Sequence, residues 1–355
     1  MKNRNIHRAF LLMMMLISSL SGYSQIEIDG IFYHLNSDKK EAKVTFHNKP
    51  PYRKYRGNIS IPSTVSHNDT LYTVTEIGYR AFCGCSLLES VTIPNTVKII
   101  GEDAFYECDT LKTITIPEGV TTIGEHAFEI CRDLTTITFP KTLTSIGNRA
   151  FDCCEKLTSI SIPEGVTSIS KRAFACCYSL ASVSLPETLT SIDDEAFIEC
   201  GKLNLITLPQ KITKIGMFAF AGCSNLKTVN CKSITPPEIS DDTFDHNDDL
   251  RVHVPKGCKT SYKQAEYWSN FKIHWQIILN ITLALLSPYR QAMSLTVWGF
   301  SFLSFSFFHP INRGSSLQET PLFVRSSSVV TPSILHRYSI VSPSIRWSND
   351  GLVME

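Results

Sequence analysis

The sequence lacks a charge bias: 34 Lys+Arg face 33 Asp+Glu, a net charge of +1 over 355 residues. Positions 1–24 hold Lys2, Arg4 and Arg8 and no acid, so the remainder stands at −2. Such a chain has no global positive field to gather phosphate backbones, which excludes nucleic-acid binding driven by bulk charge. Charged residues are sparse at 19% while aromatics reach 10%, so the composition is not that of a disordered chain. Twelve cysteines are too few for a small disulfide scaffold. Cys-x-x-Cys is missing, and no histidine pairs with cysteine at zinc-finger spacing. Gly-x-Ser-x-Gly, His-Glu-x-x-His and a phosphate-binding glycine loop are missing too. No catalytic residue, cofactor or metal is therefore expected.

The N-terminus reads as a targeting segment. Lys2, Arg4 and Arg8 precede an apolar run from Ala9 to Leu20, and Gly22 and Ser24 form a small-x-small cleavage pair. A run of this length is too short for a membrane span, which needs roughly 20 residues. Residues 1–24 are thus expected to be a cleaved signal peptide, with Gln25 first in the mature chain. The absence of cysteine at the cleavage point argues against a lipid anchor there. The protein is expected to be exported, secreted or held at the cell surface or outer envelope.

A strict repeat follows. Phe82, Phe105, Phe128, Phe151, Phe174, Phe197 and Phe220 recur at one constant interval, and Phe244 follows one position late. Cysteine lies three positions past each of the first seven, at Cys85, Cys108, Cys131, Cys154, Cys177, Cys200 and Cys223. Leucine lies six past and, in the first six units, proline twelve past. In one unit, positions 100, 104, 105 and 108 share a face at helical spacing, which predicts a short helix or turn. Ile114 and Ile116 alternate with Thr113 and Thr115, the pattern of a half-buried strand. Pro117 ends the strand, and Val120 and Ile123 turn inward. A unit with one apolar side cannot bury it alone. Stacked units bury a continuous core, which predicts a solenoid with a parallel sheet along one wall.

The pattern Leu-x-x-Val/Ile-x-Ile/Leu-Pro-x-x-Val/Leu-x-x-Ile-Gly-x-x-Ala-Phe-x-x-Cys resembles the BspA-type leucine-rich repeats of surface and secreted proteins from Bacteroides-like bacteria. The resemblance implies an α/β repeat fold. This is a leucine-rich-repeat solenoid with a parallel β-sheet on one wall and short helices or turns opposite, capped at both ends. It also implies a non-catalytic role in adhesion or protein binding, with a host matrix protein or another cell-surface protein as partner. An envelope accessory that captures glycans or nutrients is the alternative.

The flanks divide accordingly. Residues 25–75 read as an N-terminal β cap with a first irregular unit, 76–250 as the solenoid and 251–276 as a C-terminal cap. Residues 277–355 contain no Lys and no Cys but 15 Ser. This atypical Ser- and aromatic-rich tail reads as a poorly ordered segment, whether native or read in a shifted frame. A membrane anchor around 292–308 and a small separate module are the other readings.

Three groups of residues are candidates for function. The repeat phenylalanines and cysteines are expected to be core. The extra Cys153 and Cys176 share a column in adjacent coils, and the coil spacing of about 5 Å suits a disulfide. The acidic stretch 241–249 matches a calcium loop at Asp245, Asn247 and Asp249, but Leu250 and Lys256 replace the glycine and glutamate it needs. The outward strand positions read Ser90/Thr92, Thr113/Thr115, Thr136/Thr138, Ser159/Ser161, Ser182/Ser184, Leu205/Thr207 and Thr228/Asn230. This hydroxyl ladder is the expected binding face, and the frequency of threonine in strands is its plainer explanation.

Overall fold

The computed structural model describes residues 24–47, 55–244 and 249–275, with four short strands beyond them. The signal-peptide reading falls outside the described residues except at Ser24, as do Asp245 and Asn247 of the acidic stretch. The chain divides into two units, 1–278 and 279–355. In the second, Leu295–Trp298 pairs antiparallel with Phe302–Phe305, and Ile345–Ser348 with Gly351–Met354. These hairpins stand in a tail whose sequence shows no strand periodicity; the rest of it lies outside the described residues. Among the described residues no helix is long and apolar enough to cross a membrane.

The first unit is a stack of repeat coils joined by three inter-coil ladders. The first ladder is the strand wall. Thr113–Thr115 pairs in parallel with Thr136–Thr138, Ser159–Ser161 with Ser182–Ser184, and Leu205–Leu208 with Thr228–Cys231. Arg251–Val254 and Lys272–Trp275 continue the last of these. In each central coil the middle apolar residue points in and its neighbours point out.

The second ladder is built from two-residue strands, Ile99–Ile100, Thr122–Ile123 and Ser145–Ile146, then Ser168–Ile169, Ser191–Ile192 and Lys214–Ile215. The sequence pattern predicts only an inward turn in this stretch. At its N-terminal end the ladder joins Thr70–Ile77, which pairs in turn with Glu41–Thr45. The antiparallel strands Ser24–Ile28 and Ile31–Asn36 complete that end.

The third ladder is made of turns, and the helical alternative is not adopted. Two residues per coil hold left-handed backbone, such as Asp103 (φ 55) with Glu107 (φ 56) and His126 (φ 56) with Ile130 (φ 63). Left-handed residues at this spacing break any helix. Gly84 and Gly222 occupy the same column as Ile130, at φ 69 and 73. Ile130 is β-branched, so this backbone is strained there. Ile130→Gly is expected to raise stability by about 1 kcal/mol. A urea titration checks this, and an unchanged or lower midpoint at constant slope would contradict it.

The core is a column of rings. Phe82 through Phe244 stack coil on coil with centroids 5.0–5.6 Å apart and planes within 8°. Tyr55 closes one end at 4.8 Å from Phe82, and Trp268 and Phe271 close the other against Phe244. Beside each ring the column cysteine has a defined bond. The thiols of Cys108, Cys131, Cys154, Cys177, Cys200 and Cys223 donate to the phenylalanine carbonyl of the preceding coil, at 3.2–3.3 Å. Burial pushes the Cys108 and Cys200 thiols well up, as it does Cys131. All seven column cysteines are buried and free of disulfides.

One step of the stack differs. In most coils the glycine-column amide donates to the isoleucine carbonyl one coil back, as Gly124 does to Ile100 and Gly147 to Ile123, both at 2.8 Å. A Cβ on Gly147 would lie 2.5 Å from the Glu125 amide, so glycine permits the closest coil approach. Ser170 occupies this column in the next coil. Its hydroxyl, instead of its amide, donates to Ile146 O at 2.6 Å. The second ladder stops here, between Ser145–Ile146 and Ser168–Ile169. The ring spacing widens from 5.1 Å at Phe128–Phe151 to 5.3 Å at Phe151–Phe174 and 5.6 Å at Phe174–Phe197.

Candidate functional site

The hydroxyl residues of the strand wall stand in two files. The register places Thr136 beside Thr113 and Thr138 beside Thr115, and Ser182 beside Ser159 with Ser184 beside Ser161. Ser90 and Thr92 pair with Asn58 and Ser60 at the near end. Thr228 and Asn230 pair with Leu205 and Thr207 at the far end, where Asn230 Nδ2 donates to Thr207 Oγ1 at 3.5 Å. Ser90 donates to Asn58 Oδ1 at 2.6 Å. Between these ends, the hydroxyls of Thr113, Thr115, Thr136, Thr138, Ser159, Ser161, Ser182 and Ser184 are exposed and make no hydrogen bond within the described protein.

The second wall carries hydroxyls too, and several of its threonines are engaged, while Ser145, Ser168 and Ser191 of its short strands are not. Thr144 Oγ1 donates to Thr121 O at 3.1 Å, Thr190 to Thr167 O at 3.0 Å and Thr213 to Thr190 O at 3.1 Å. These threonines supplement the backbone ladder. Thr135 and Thr158, just ahead of the strand-wall files, bond to the neighbouring coil in the same way, so the threonines that precede the strands hold coils together and the file hydroxyls face water.

The strand wall is also grooved. Thr136–Thr138 and Ser159–Ser161 are adjacent but form no ladder. A shallow open groove of about 810 Å³ runs here, with Thr138, Ser159, Ser161 and Ser184 on it and the half-buried Phe139 and Leu185 beside them. The wall becomes basic beyond Thr228: Arg251 and Lys272 extend one file, and His253 and His274 the other. The two imidazoles lie 5.6 Å apart. Burial and the neighbouring His253 lower the His274 pKa.

A second cluster lies on the turn wall. Asp152 is 1% exposed. Arg172 Nε binds its Oδ2 at 2.9 Å, and Arg172 Nη1 binds Glu195 Oε2 at 2.6 Å. Arg149 Nη1 stands 3.7 Å from Asp152. Hydrogen bonds to both carboxylates raise the Arg172 pKa against the burial that lowers it. Arg172→Met is expected to cost about 2 kcal/mol, because Asp152 stays buried with only the distant Arg149 to offset it. Thermal unfolding of Arg172→Met beside the double variant Asp152→Leu/Arg172→Met checks this. A double variant no more stable than the single one would contradict the assignment.

Cys153 and Cys176 sit at this cluster. Both are partly exposed free thiols. The structure therefore brings the pair together without bonding it.

Sequence reasoning missed two features. The basic end was visible, since Arg251-Val-His lies one repeat after Thr228-Val-Asn. The ion pairs had a signal as well: the column Arg80, Asp103, His126, Arg149, Arg172, Glu195 changes sign between adjacent coils at Arg80/Asp103 and at Arg172/Glu195. Arg80 binds Asp103 at 2.8 Å and Arg172 binds Glu195 in this way.

The repeats match known proteins. The family model for the BspA type leucine rich repeat region matches residues 75–204 and 144–272, in six copies. A leucine rich cell surface protein from Faecalibacterium prausnitzii has a similar structure, with 38% identity and a TM-score of 0.55. The match covers 61% of this chain and 57% of that one, so this chain spans little more than half of its length. The leucine rich repeat protein of T. pallidum is 32% identical, with a TM-score of 0.51, over 57% of this chain and 91% of that one. No curated protein matches the chain. The matched repeats cover more than half of the sequence, and the chain belongs to the BspA-type leucine-rich repeat family.

Proposed function

We propose that the protein is an exported, non-catalytic interaction protein that binds a macromolecular partner on the strand wall of its solenoid. The observation that carries this reading is the pair of hydroxyl files, eight side chains over four adjacent coils of the strand wall. All eight are exposed and have no partner in the described protein, whereas Thr135 and Thr158 beside the files, like Thr144, Thr190 and Thr213 on the second wall, bond to the neighbouring coil. An array of unengaged donors and acceptors on a rigid wall suits a polar partner surface, and solenoids present such extended surfaces.

Other observations agree. The column thiols donate to carbonyls in the core and are held protonated by burial, which leaves them poor nucleophiles. The family supports a role in protein interaction or adhesion, and the Faecalibacterium relative is a cell surface protein. Location at the surface or in the envelope also rests on the basic and apolar N-terminal segment.

The test is a binding screen of the full chain on arrays of matrix proteins and glycans. Saturable protein binding supports the adhesion reading. Selective glycan binding replaces it with the capture reading. Turnover of generic ester, peptide or glycoside substrates would overturn both.

A further inference from the structure

We propose that Cys153 and Cys176 form a reversible dithiol–disulfide pair whose oxidised form staples two coils across the gap in the second ladder. The inference is independent of the binding role.

Position is the first ground. The two residues lie one repeat apart on adjacent coils, both with left-handed backbone, at φ 61 and 54. Their side chains therefore leave neighbouring coils in the same direction. The two Sγ atoms and a carboxylate oxygen of Asp152 all lie within 4.8 Å of one another. The coils are held in register here by Cys153 N, which donates to Ala175 O at 2.9 Å.

The second ground is how these thiols differ from the column thiols. A column thiol is buried and donates to a main-chain carbonyl. Cys153 and Cys176 are partly exposed, and neither thiol has such a carbonyl bond. Cys153 Sγ instead donates to Asp152 Oδ1 at 3.4 Å. Arg172 Nη2 donates to Cys176 Sγ at 4.0 Å.

The third ground is the site of the staple. Cys153 belongs to the coil that ends the first half of the second ladder at Ile146, and Cys176 to the coil that opens the second half at Ser168. Among the described residues this is the step where that ladder lacks backbone pairing.

A metal ion fits the same three residues poorly. Asp152 already binds Arg172 at 2.9 Å with Arg149 at 3.7 Å, so its charge is offset and a second cation would meet two guanidinium groups.

The chemistry needs a disulfide oxidant, taken here as a small-molecule disulfide RSSR. Cys176, as thiolate, attacks one sulfur of RSSR and forms a mixed disulfide, releasing RS⁻. Cys153 gives up its proton and attacks Cys176 Sγ, releasing the second RS⁻. Both leaving groups take up the protons the two cysteines lose. The protein gives up two electrons and RSSR becomes two RSH. Burial and the Asp152 charge push the Cys153 thiol up to about 12, so its deprotonation limits the second step, which quickens as the pH rises.

The test treats the reduced full chain with oxidised glutathione, then alkylates and maps it by mass spectrometry. The expected result is a loss of two hydrogens confined to a cross-linked Cys153–Cys176 peptide, reversed by dithiothreitol. The column cysteines become alkylatable only after denaturation. The oxidised chain should melt at a higher temperature than the reduced one. In Cys153→Ser the reaction should stop at glutathione attached to Cys176. A chain that ends with glutathione on both cysteines and no cross-link overturns the proposal. So does a chain whose two thiols stay alkylatable, with or without zinc protecting them.

Discussion

Phe128→Ala is expected to cost about 3–5 kcal/mol and to divide the solenoid's unfolding at that coil. Phe128 is fully buried, with Phe105 at 5.0 Å and Phe151 at 5.1 Å on its two faces. Removing the ring opens a cavity in the middle of the column. The walls cannot easily collapse into it. Phe128 N donates to Ala150 O at 2.8 Å, and the Cys154 thiol donates to Phe128 O at 3.3 Å. Both bonds hold the backbone of this coil where it is, so most of the void persists. Coils contact only their neighbours, so the loss falls on two interfaces. Urea unfolding followed by hydrogen exchange reads both effects. Loss of protection should centre on the coils of Phe105, Phe128 and Phe151. A cost below about 1 kcal/mol would mean that the ring column is not what holds the coils.

The second large effect concerns binding. Changing Thr113, Thr115, Thr136 and Thr138 together to lysine should abolish partner binding. Each lost hydrogen bond removes about 0.5–1.5 kcal/mol, so four remove at least about 2 kcal/mol, roughly a 30-fold loss before any charge mismatch. Thermal unfolding should hardly change. None of the four hydroxyls bonds within the described protein, and the long flexible lysine stems let the added ammonium groups spread apart in water. Second-wall substitutions make the opposite control. Thr144→Val removes the bond to Thr121 O and should lower stability while leaving binding intact. Unaltered affinity in the four-lysine variant would falsify the strand-wall site.

The two kinds of position differ in how much of them could be read from the sequence. Phe128 and Cys131 belong to columns that recur once per coil, and a repeat declares its own packing: whatever recurs at a fixed place has the same neighbours in every coil. The strand files were legible for the same reason, because alternation at Thr113, Ile114 and Thr115 fixes which side chains face out. The second ladder was not. A strand as short as Thr122–Ile123 has no alternation to detect, and only the neighbouring coil makes it a strand. Helical spacing at positions 100–108 was equally ambiguous. The left-handed residues Asp103 and Glu107 decide it, and neither residue type announces that backbone as a glycine would. The Asp152–Arg172 pair was hidden because its partners' separation in the chain is out of step with the repeat.

The cysteines show a limit of another kind. Their column placed seven of them in the core, but the thiol bond to the phenylalanine carbonyl is a property of two adjacent coils. It gives the column a reason to hold cysteine instead of alanine or valine. The carbonyl of Phe105 accepts from Cys131, and a residue without a donor would leave that bond unmade.

The nearest-neighbour build of the coils also bears on how the chain reaches its folded form. The inter-coil bonds of the stack span little more than one repeat, as Phe105 N to Ala127 O does at 2.7 Å. Loop closure is therefore short at each step, however long the whole array becomes. A chain emerging from one end, as any chain does during synthesis, never has to wait for its far end before it can begin to order. The antiparallel strands at 24–45 come first and offer an edge on which Thr70–Ile77, and then coil after coil, can add. Growth of this sort has natural pauses: among the described residues the second ladder is interrupted at the Ser170 step and the strand wall between Thr136–Thr138 and Ser159–Ser161, so a newly arriving coil finds one ladder fewer to join there.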